Sequence, residues 1–596
     1  MSTLAGLATS RGFAAGPVFV AIKGGRIVVP QWTVELADLP GEIARFRSAR
    51  TAAKAQVDAM RNQLGRDAAD ELKVLTGHLE LLDDSHLATR VEGCIAAKRI
   101  NAEAALRHVI DSFRNLFLKM TDPYMRERIK DVDDVESRLL RILMGHTENP
   151  FALLDTPSVI VADELSPSDT AGLKRNLVLA FATDEGGTTS HVALLARALG
   201  IPAVTGLGSI SSRVKAGDFV LVDGTNGAVT INPDLATRNE FDRMVEHERR
   251  LAELLSEDSA CGGQLKDGAK IALLANSQPG VPMTDMERAG AEGIGLYRTE
   301  YLWLQNDTEP KEEEQFEVYS RAVRAAASLG HGARVVFRVL DIGGDKLPRM
   351  LNQREGNPFL GCRSIRWLLT HRDVFRTQLR AILRASAVGK AAVMYPMIAD
   401  VRELREANSE LHSMMRILQS EGIPFDPNLP HGAMIETPSA ALNAAKFAAE
   451  CDFFSIGTND LIQYTMAADR GNGSVASLYQ PANPAVLRLV EMTASAASNA
   501  HIPCCVCGET ASDPVLGFLW VALGVTQLSM SAGFIPAQRK ILKALTSADA
   551  EELAAYVHSY YDVRTADEIY EFCRCYLLDK VPHFEEIQQF FTRTAD

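Results

Sequence analysis

Apolar residues near the start of the chain fall in one short run, VFVAI after Gly16-Pro17, which predicts a strand. From about Val34 to Leu143 the spacing changes. Ile43, Phe46, Ala49, Ala53 and Val57 recur at intervals of three and four, and ELKVLTGHLELLDD and VDDVESRLLRILMG read the same way. That spacing puts an apolar stripe on each of several helices and predicts a helical bundle. Around Ser158 short apolar runs return: SVIVAD, LVLAFAT, PAVTG, FVLVDG and AVTINP, with helix-like pieces between them. The first strand has no other sheet to join. Residues 1–33 and 146–233 are therefore read as one α/β domain, interrupted by a helical domain over 34–145.

The next stretch, ATRNEFDRMVEHERRLAELLSEDSA, is a highly charged helix, expected as a solvated connector over 234–262. From Lys270 onward eight strand-like runs alternate with helices: KIALLAN, GIGLYRTEYL, RVVFRVLDIG, AAVMYPMI, HGAMIETP, FFSIGTNDL, IPCCVCGE and QLSMSA. Eight βα units are the count for a closed (β/α)8 barrel of the TIM type, placed over 263–596 with closing helices from about Ala548. The fold class is thus multidomain α/β. Active sites of such barrels lie at the strand C-terminal ends. Asn276, Arg298, Arg338, Asp341, Glu436, Asn459, Asp460 and Cys507 end these runs and become candidates.

Composition narrows the function. The 596 residues carry a net charge of -14, which argues against a nucleic-acid-binding body and favours a basic protein partner. No apolar run approaches the roughly 20 residues needed to span a bilayer. The opening MSTLAGLATSRGFAAG has no basic stretch leading into an apolar one, so no secretory signal is expected. Nine cysteines without a regular framework fit a reducing, cytoplasmic setting. Cys504, Cys505 and Cys507, with Cys573 and Cys575, lack the usual zinc-ligand spacing.

The segment ATDEGGTTSHVALLARALGIPAVTG carries the clearest local chemistry. Gly186-Gly187 permits a tight turn, and Thr188, Thr189 or Ser190 can cap a helix beginning near His191. Gly200 and Pro202 end that helix. His191 is therefore expected at a helix N-terminus, where free N–H groups and the dipole stabilise a phosphoryl dianion. A neutral imidazole nitrogen is a competent nucleophile near neutral pH, and the Thr170 hydroxyl is a candidate to orient its second nitrogen.

GGTTSH followed by ALLARALGIPAV resembles the phosphohistidine signature of phosphoenolpyruvate-utilising enzymes. The whole chain resembles Enzyme I of the bacterial sugar phosphotransferase system. GLATSRGFAAGPV, the helical insertion, GGTTSH, GLYRTE, DIGGDK, NPFLGCR, ETPSA, IGTNDLIQY and CGE have counterparts there in the same order. Two departures stand out: Thr188 occupies a position where Arg is frequent, and CCVCGET carries extra cysteines.

The resemblance implies phosphoryl transfer from phosphoenolpyruvate to His191 and then to the phosphocarrier HPr. It implies Mg2+ held by Glu436 and Asp460, a pairing that hard oxygen ligands also suit. Arg298 and Arg338 would hold the phosphate, Arg470 the phosphate or carboxylate, and Asn459 the substrate, with Lys346 and Arg363 contributing. Cys507 would protonate the enolate as a general acid. HPr would dock on the helical insertion, where Glu80, Asp83 and Asp84 suit a basic client and Arg128 lies in a stretch matching an interface position. A homodimer through the barrel is also implied, with no nucleic acid and no membrane.

Three rivals remain at this level. A pyruvate-phosphate or pyruvate-water dikinase would need an ATP-grasp domain of about 200 residues, which the helical segment is too short to supply. A non-catalytic sensor of phosphoenolpyruvate would be expected to lack some of His191, Glu436, Asp460 and Cys507, and all are present. A nitrogen-branch Enzyme I would act on an HPr homologue.

Overall fold

The computed structural model describes residues 2–22, 29–63, 69–117, 123–145, 151, 154–165, 173–187, 190–256, 261–304, 309–330, 332–343, 357–469 and 472–595. The chain forms two compact units, 1–247 and 248–596. The boundary falls inside the helix Leu235–Ser256.

In the first unit the opening residues form β1 (Ser2–Ala5), β2 (Leu7–Ser10) and β3 (Phe13–Ile22). The later short runs form β4 (Ser158–Ala162), β5 (Val178–Thr183), β6 (Ala203–Thr205), β7 (Phe219–Asp223) and β8 (Ala228–Ile231). They assemble as one sheet in the order β1-β8-β7-β3-β4-β5-β6-β2. β3 is the hub, parallel to β4 in the register Val18↔Val159 and antiparallel to β7 in the register Ala15↔Leu221. Every residue of β4 is buried, because both of its faces are covered. Val159 and Val161 join Val18, Val204 and Val222 in one core. Ile160 joins Phe181, Val192 and Ala196 in another, beneath the helix His191–Leu199.

β1 and β2 were not foreseen from the pattern. β1 pairs with β8 and β2 with β6, the two outer positions of the sheet. Gly6 alone separates them, and its N–H donates to Gly227 O at 2.8 Å. A Cβ there would stand 2.6 Å from the Thr205 carbonyl oxygen, so only glycine fits.

Between β3 and β4 the chain makes five helices: α1 (Leu39–Gln63), α2 (Ala69–Asp83), α3 (Ser85–Lys98), α4 (Ala102–Phe117) and α5 (Pro123–Leu143). The spaced residues Phe46, Ala49, Ala53 and Val57 bury against Val91, Ile95, Leu106, Ile110 and Leu140, as their spacing requires.

In the second unit all eight runs become strands: β9 (Ala272–Ser277), β10 (Ile294–Arg298), β11 (Val335–Arg338), β12 (Ala391–Tyr395), β13 (His431–Ile435), β14 (Phe453–Ile456), β15 (Cys504–Val506) and β16 (Gln527–Met530). They are parallel throughout, and β16 pairs back onto β9, closing the barrel. Leu296, Met394, Met434 and Cys507 fill one interior cluster. Helices Ser547–Tyr560, Ala566–Lys580 and Phe584–Ala595 follow the barrel.

The helix Leu235–Ser256 departs from a wholly solvated connector. Within the first unit its Phe241 packs edge-on against Phe13, with centroids 5.6 Å apart. Within the second, Leu251 and Leu255 are buried in the barrel's outer core. Its charged residues hid a narrow apolar stripe. No helix among the described residues is long and apolar enough to cross a membrane.

Candidate active site

The strand C-terminal ends of the barrel bring the expected side chains to one cavity of about 110 Å³. Arg298 and Arg338 are the last residues of β10 and β11. Glu436 and Cys507 each stand one residue beyond a strand end, after β13 and β15. Asn459 and Asp460 lie in the first turn of the helix Thr458–Met466, which follows β14 after Gly457. Asp460 is therefore a helix residue, and not the strand-end residue expected. The first turn of that helix carries it to the same rim. Arg363 and Asp341 complete the lining.

These groups are locked to one another. Arg338 donates to Glu300 through Nη2, and its Nη1 lies 3.1 Å from Asp341 Oδ2. Arg363 reaches Asp341 Oδ1 at 3.1 Å, Asp460 Oδ1 at 3.2 Å and the Tyr464 hydroxyl at 3.2 Å. Ser364 Oγ also donates to Asp341. Burial opposes the charge on Asp341, but Arg338 and Arg363 outweigh it and hold the carboxyl well below the usual range. Burial likewise opposes the charge on Arg338, and Glu300 and Asp341 more than restore it. Each buried guanidinium therefore stays ionised with its fork fixed, the arrangement that recognises phosphate or carboxylate.

Among the described residues acids outnumber bases at this rim. The guanidinium groups of Arg298, Arg338 and Arg363 meet the carboxylates of Glu300, Asp341, Glu436 and Asp460. Further positive charge here would favour an anionic substrate. Burial, then Asp460 and Asp341, push the Glu436 carboxyl well above its ordinary range. Its Oε1 accepts the Met397 N–H at 2.6 Å. Paired carboxylates of this kind are a donor set for a hard divalent cation. Among the described residues no three His, Cys, Asp or Glu side chains converge into a ready cage. Magnesium sites commonly take one or two carboxylates and leave the rest to substrate and water.

Cys507 is 2% exposed, and its thiol lies 3.6 Å from the Ile456 carbonyl oxygen. Burial pushes the thiol pKa up to about 11, so it is protonated near neutral pH. Asn276, also expected at the rim, is used structurally. Its Nδ2 donates to Cys507 O at 3.1 Å and its Oδ1 accepts from Ser529 Oγ at 2.7 Å.

In the first unit His191 is the first residue of the helix His191–Leu199. Ser190 caps it, its Oγ accepting the Ala193 N–H at 3.4 Å, and Gly200 ends it with φ 64°. Gly186 turns the preceding loop at φ 115°. The His191 side chain and residues Thr170, Thr188, Thr189, Lys346 and Arg470 lie outside what is described.

On the helical insertion Glu80, Asp83 and Asp84 are all exposed. Two of them have local duties: Asp83 pairs with Lys54, and Asp84 caps α3 by accepting the His86 N–H at 2.7 Å. Arg128 lies on α5, with its side chain outside the described residues. Reasoning from the sequence missed Glu300 and Tyr464. Glu300 is 1% exposed two residues beyond Arg298, and Tyr464 sits one helical turn beyond Asp460. That i,i+4 spacing was the available signal.

The barrel and the histidine-bearing unit together define a phosphoenolpyruvate-utilising enzyme. The family model described as "PEP-utilising enzyme, PEP-binding domain" matches residues 253–547. "PEP-utilising enzyme, mobile domain" matches 154–227, and "PEP-utilising enzyme, N-terminal" matches 5–128. Curated proteins named phosphoenolpyruvate-protein phosphotransferase match almost end to end. That of Bacillus sp. (strain S) is 41% identical over 578 residues, covering 95% of this chain and 98% of its own. That of Geobacillus stearothermophilus is 42% identical with the same coverage. That of Staphylococcus aureus is 40% identical over 581 residues, covering 95% and 99%. The chain belongs to the phosphoenolpyruvate-protein phosphotransferase family.

Proposed function

We propose that the chain takes the phosphoryl group of phosphoenolpyruvate onto His191 and passes it to a histidine of HPr or a homologue, releasing pyruvate. Family membership makes it an enzyme of phosphoenolpyruvate-dependent phosphoryl transfer in the phosphotransferase system. The observation that carries the residue-level reading is one barrel mouth holding fixed arginines, paired carboxylates and a protonated thiol.

Arg298 and Arg338 bind the phosphate, and Asn459 and Arg363 orient the substrate; Lys346 and Arg470 are assigned there by resemblance alone. Glu436 and Asp460 would hold Mg2+, which would supply positive charge to the phosphate. The N–H groups opening the His191 helix stabilise the phosphorylated imidazole. In-line transfer needs the imidazole nitrogen within about 3–3.5 Å of phosphorus, so the histidine-bearing unit must visit the barrel mouth and leave it again. Phosphoryl departure leaves the enolate of pyruvate. The Cys507 thiol then donates its proton to the methylene carbon.

The insertion α1–α5 receives the carrier, with Glu80, Asp83, Asp84 and Arg128 near the contact. The protein is assigned to the cytoplasm as a dimer through the barrel. The test uses labelled phosphoenolpyruvate, Mg2+ and the purified chain without ATP. It should give an acid-labile, base-stable phosphoprotein that passes its label to one member of a panel of purified carriers. Labelling that persists in His191→Ala would remove the histidine from the reaction.

A further inference from the structure

A second cleft, of about 600 Å³, opens at the opposite end of the barrel, where β13 and β14 begin. One wall is a stripe of the helix Val401–Glu421, made by Arg405, Asn408, Ser409, His412 and Arg416 at three- and four-residue spacing. The other is His431, the first residue of β13, with Glu450, Cys451 and Asp452 leading into β14.

The N-terminal face of a barrel ordinarily serves stability. Part of this cleft fits that role. Arg405 Nη2 donates to Glu450 Oε1 at 2.6 Å, and His431 Nδ1 lies 3.2 Å from Asp452 Oδ2. Those pairs use up both acids of the cleft. Two basic groups remain open. Arg416 and His412 are exposed and have no acidic partner among the described residues. Asn408, 9% exposed, ties the two walls together, its Nδ2 donating to Glu450 O at 2.9 Å. The His412 and His431 rings stand nearly perpendicular, with centroids 6.0 Å apart, and wall the space between these groups.

We infer that this cleft binds a small phosphate monoester. Arg416 and His412 take the phosphate, and the rest of the cleft holds the body of the ester. A guanidinium beside an imidazole suits a phosphate dianion, and the cleft has the size of an ordinary metabolite site. A sugar phosphate and a mononucleotide share this chemistry. The site lies away from the strand ends that carry Arg298, Glu436 and Cys507, so occupancy does not require the catalytic mouth.

Titration calorimetry on the full chain tests this with a hexose phosphate, adenosine monophosphate, unphosphorylated glucose and inorganic phosphate. One ester should bind at least about tenfold more tightly than glucose or inorganic phosphate, and which one identifies the source. Arg416→Glu should weaken that binding about tenfold or more, and His412→Ala should weaken it less. Labelling by phosphoenolpyruvate should be unchanged in both variants. No binding by either ester overturns the inference. So does binding that survives Arg416→Glu, which would place the ester at the catalytic mouth, and so does inorganic phosphate binding as tightly as the esters.

Discussion

Gly457 lies directly against Glu436: a Cβ on Gly457 would stand 2.6 Å from the Glu436 Oε2 and 3.0 Å from its Cβ. The residue after β14 is thus set by the carboxylate after β13. Its φ of -85° is open to any residue, so the constraint is purely steric. Gly457→Ala should displace the Glu436 carboxylate and raise the Mg2+ concentration for half-maximal phosphotransfer by about tenfold or more. The overpacking itself should cost about 1–3 kcal/mol. A magnesium titration of the labelling rate separates the two effects.

Arg338 sits between Glu300 and Asp341, all three nearly enclosed. Arg338→Ala strands two buried carboxylates and should destabilise the barrel by about 3–5 kcal/mol. Arg338→Lys keeps a charge but loses the fork. It should fold with a smaller loss and still lower kcat/KM by about a hundredfold or more. Denaturant unfolding beside steady-state kinetics reads both.

The Cys507 thiol must be protonated to act as an acid, and its pKa near 11 lies above the ordinary value of 9.0. The acid form is therefore complete at neutral pH and is lost only as pH rises toward 11. Cys507 should contribute no alkaline limb to activity near neutrality, and should alkylate with iodoacetamide slowly until strongly basic pH. Peptide mass spectrometry across a pH series follows that one residue. Fast labelling near neutral pH would contradict a buried protonated thiol.

Asp84 and Glu80 should behave differently although both are exposed acids on the insertion. Asp84→Ala removes the α3 cap and should cost about 1 kcal/mol of stability. Glu80→Gln should leave melting unchanged and slow carrier association in a salt-dependent way. Melting curves and stopped-flow transfer at two ionic strengths distinguish them.

All eight barrel strands were legible because each is an apolar run bounded by turn residues, and a closed parallel barrel buries both faces of its strands. The rim residues followed from where such strands end. β1 and β2 were hidden because STLA and LATS are only four residues long and carry one large apolar residue each, with one neighbouring strand each. Glu300 and Tyr464 were hidden for another reason. Their part at the site consists of contacts with Arg338 and Arg363 across elements, of which the chain marks only the i,i+4 spacing of Tyr464 from Asp460.

The two outermost strands of the first sheet are joined through Gly6 alone, and one residue spans at most about 3.6 Å. The sheet must therefore curl until its two outer strands are brought end to end, although they do not pair with each other. During synthesis β1 and β2 must wait for β8 and β6, more than 190 residues later, before either can pair. β1 and β2 are thus the last clasp of the sheet to close, and any substitution at Gly6 would fall on the fastening itself.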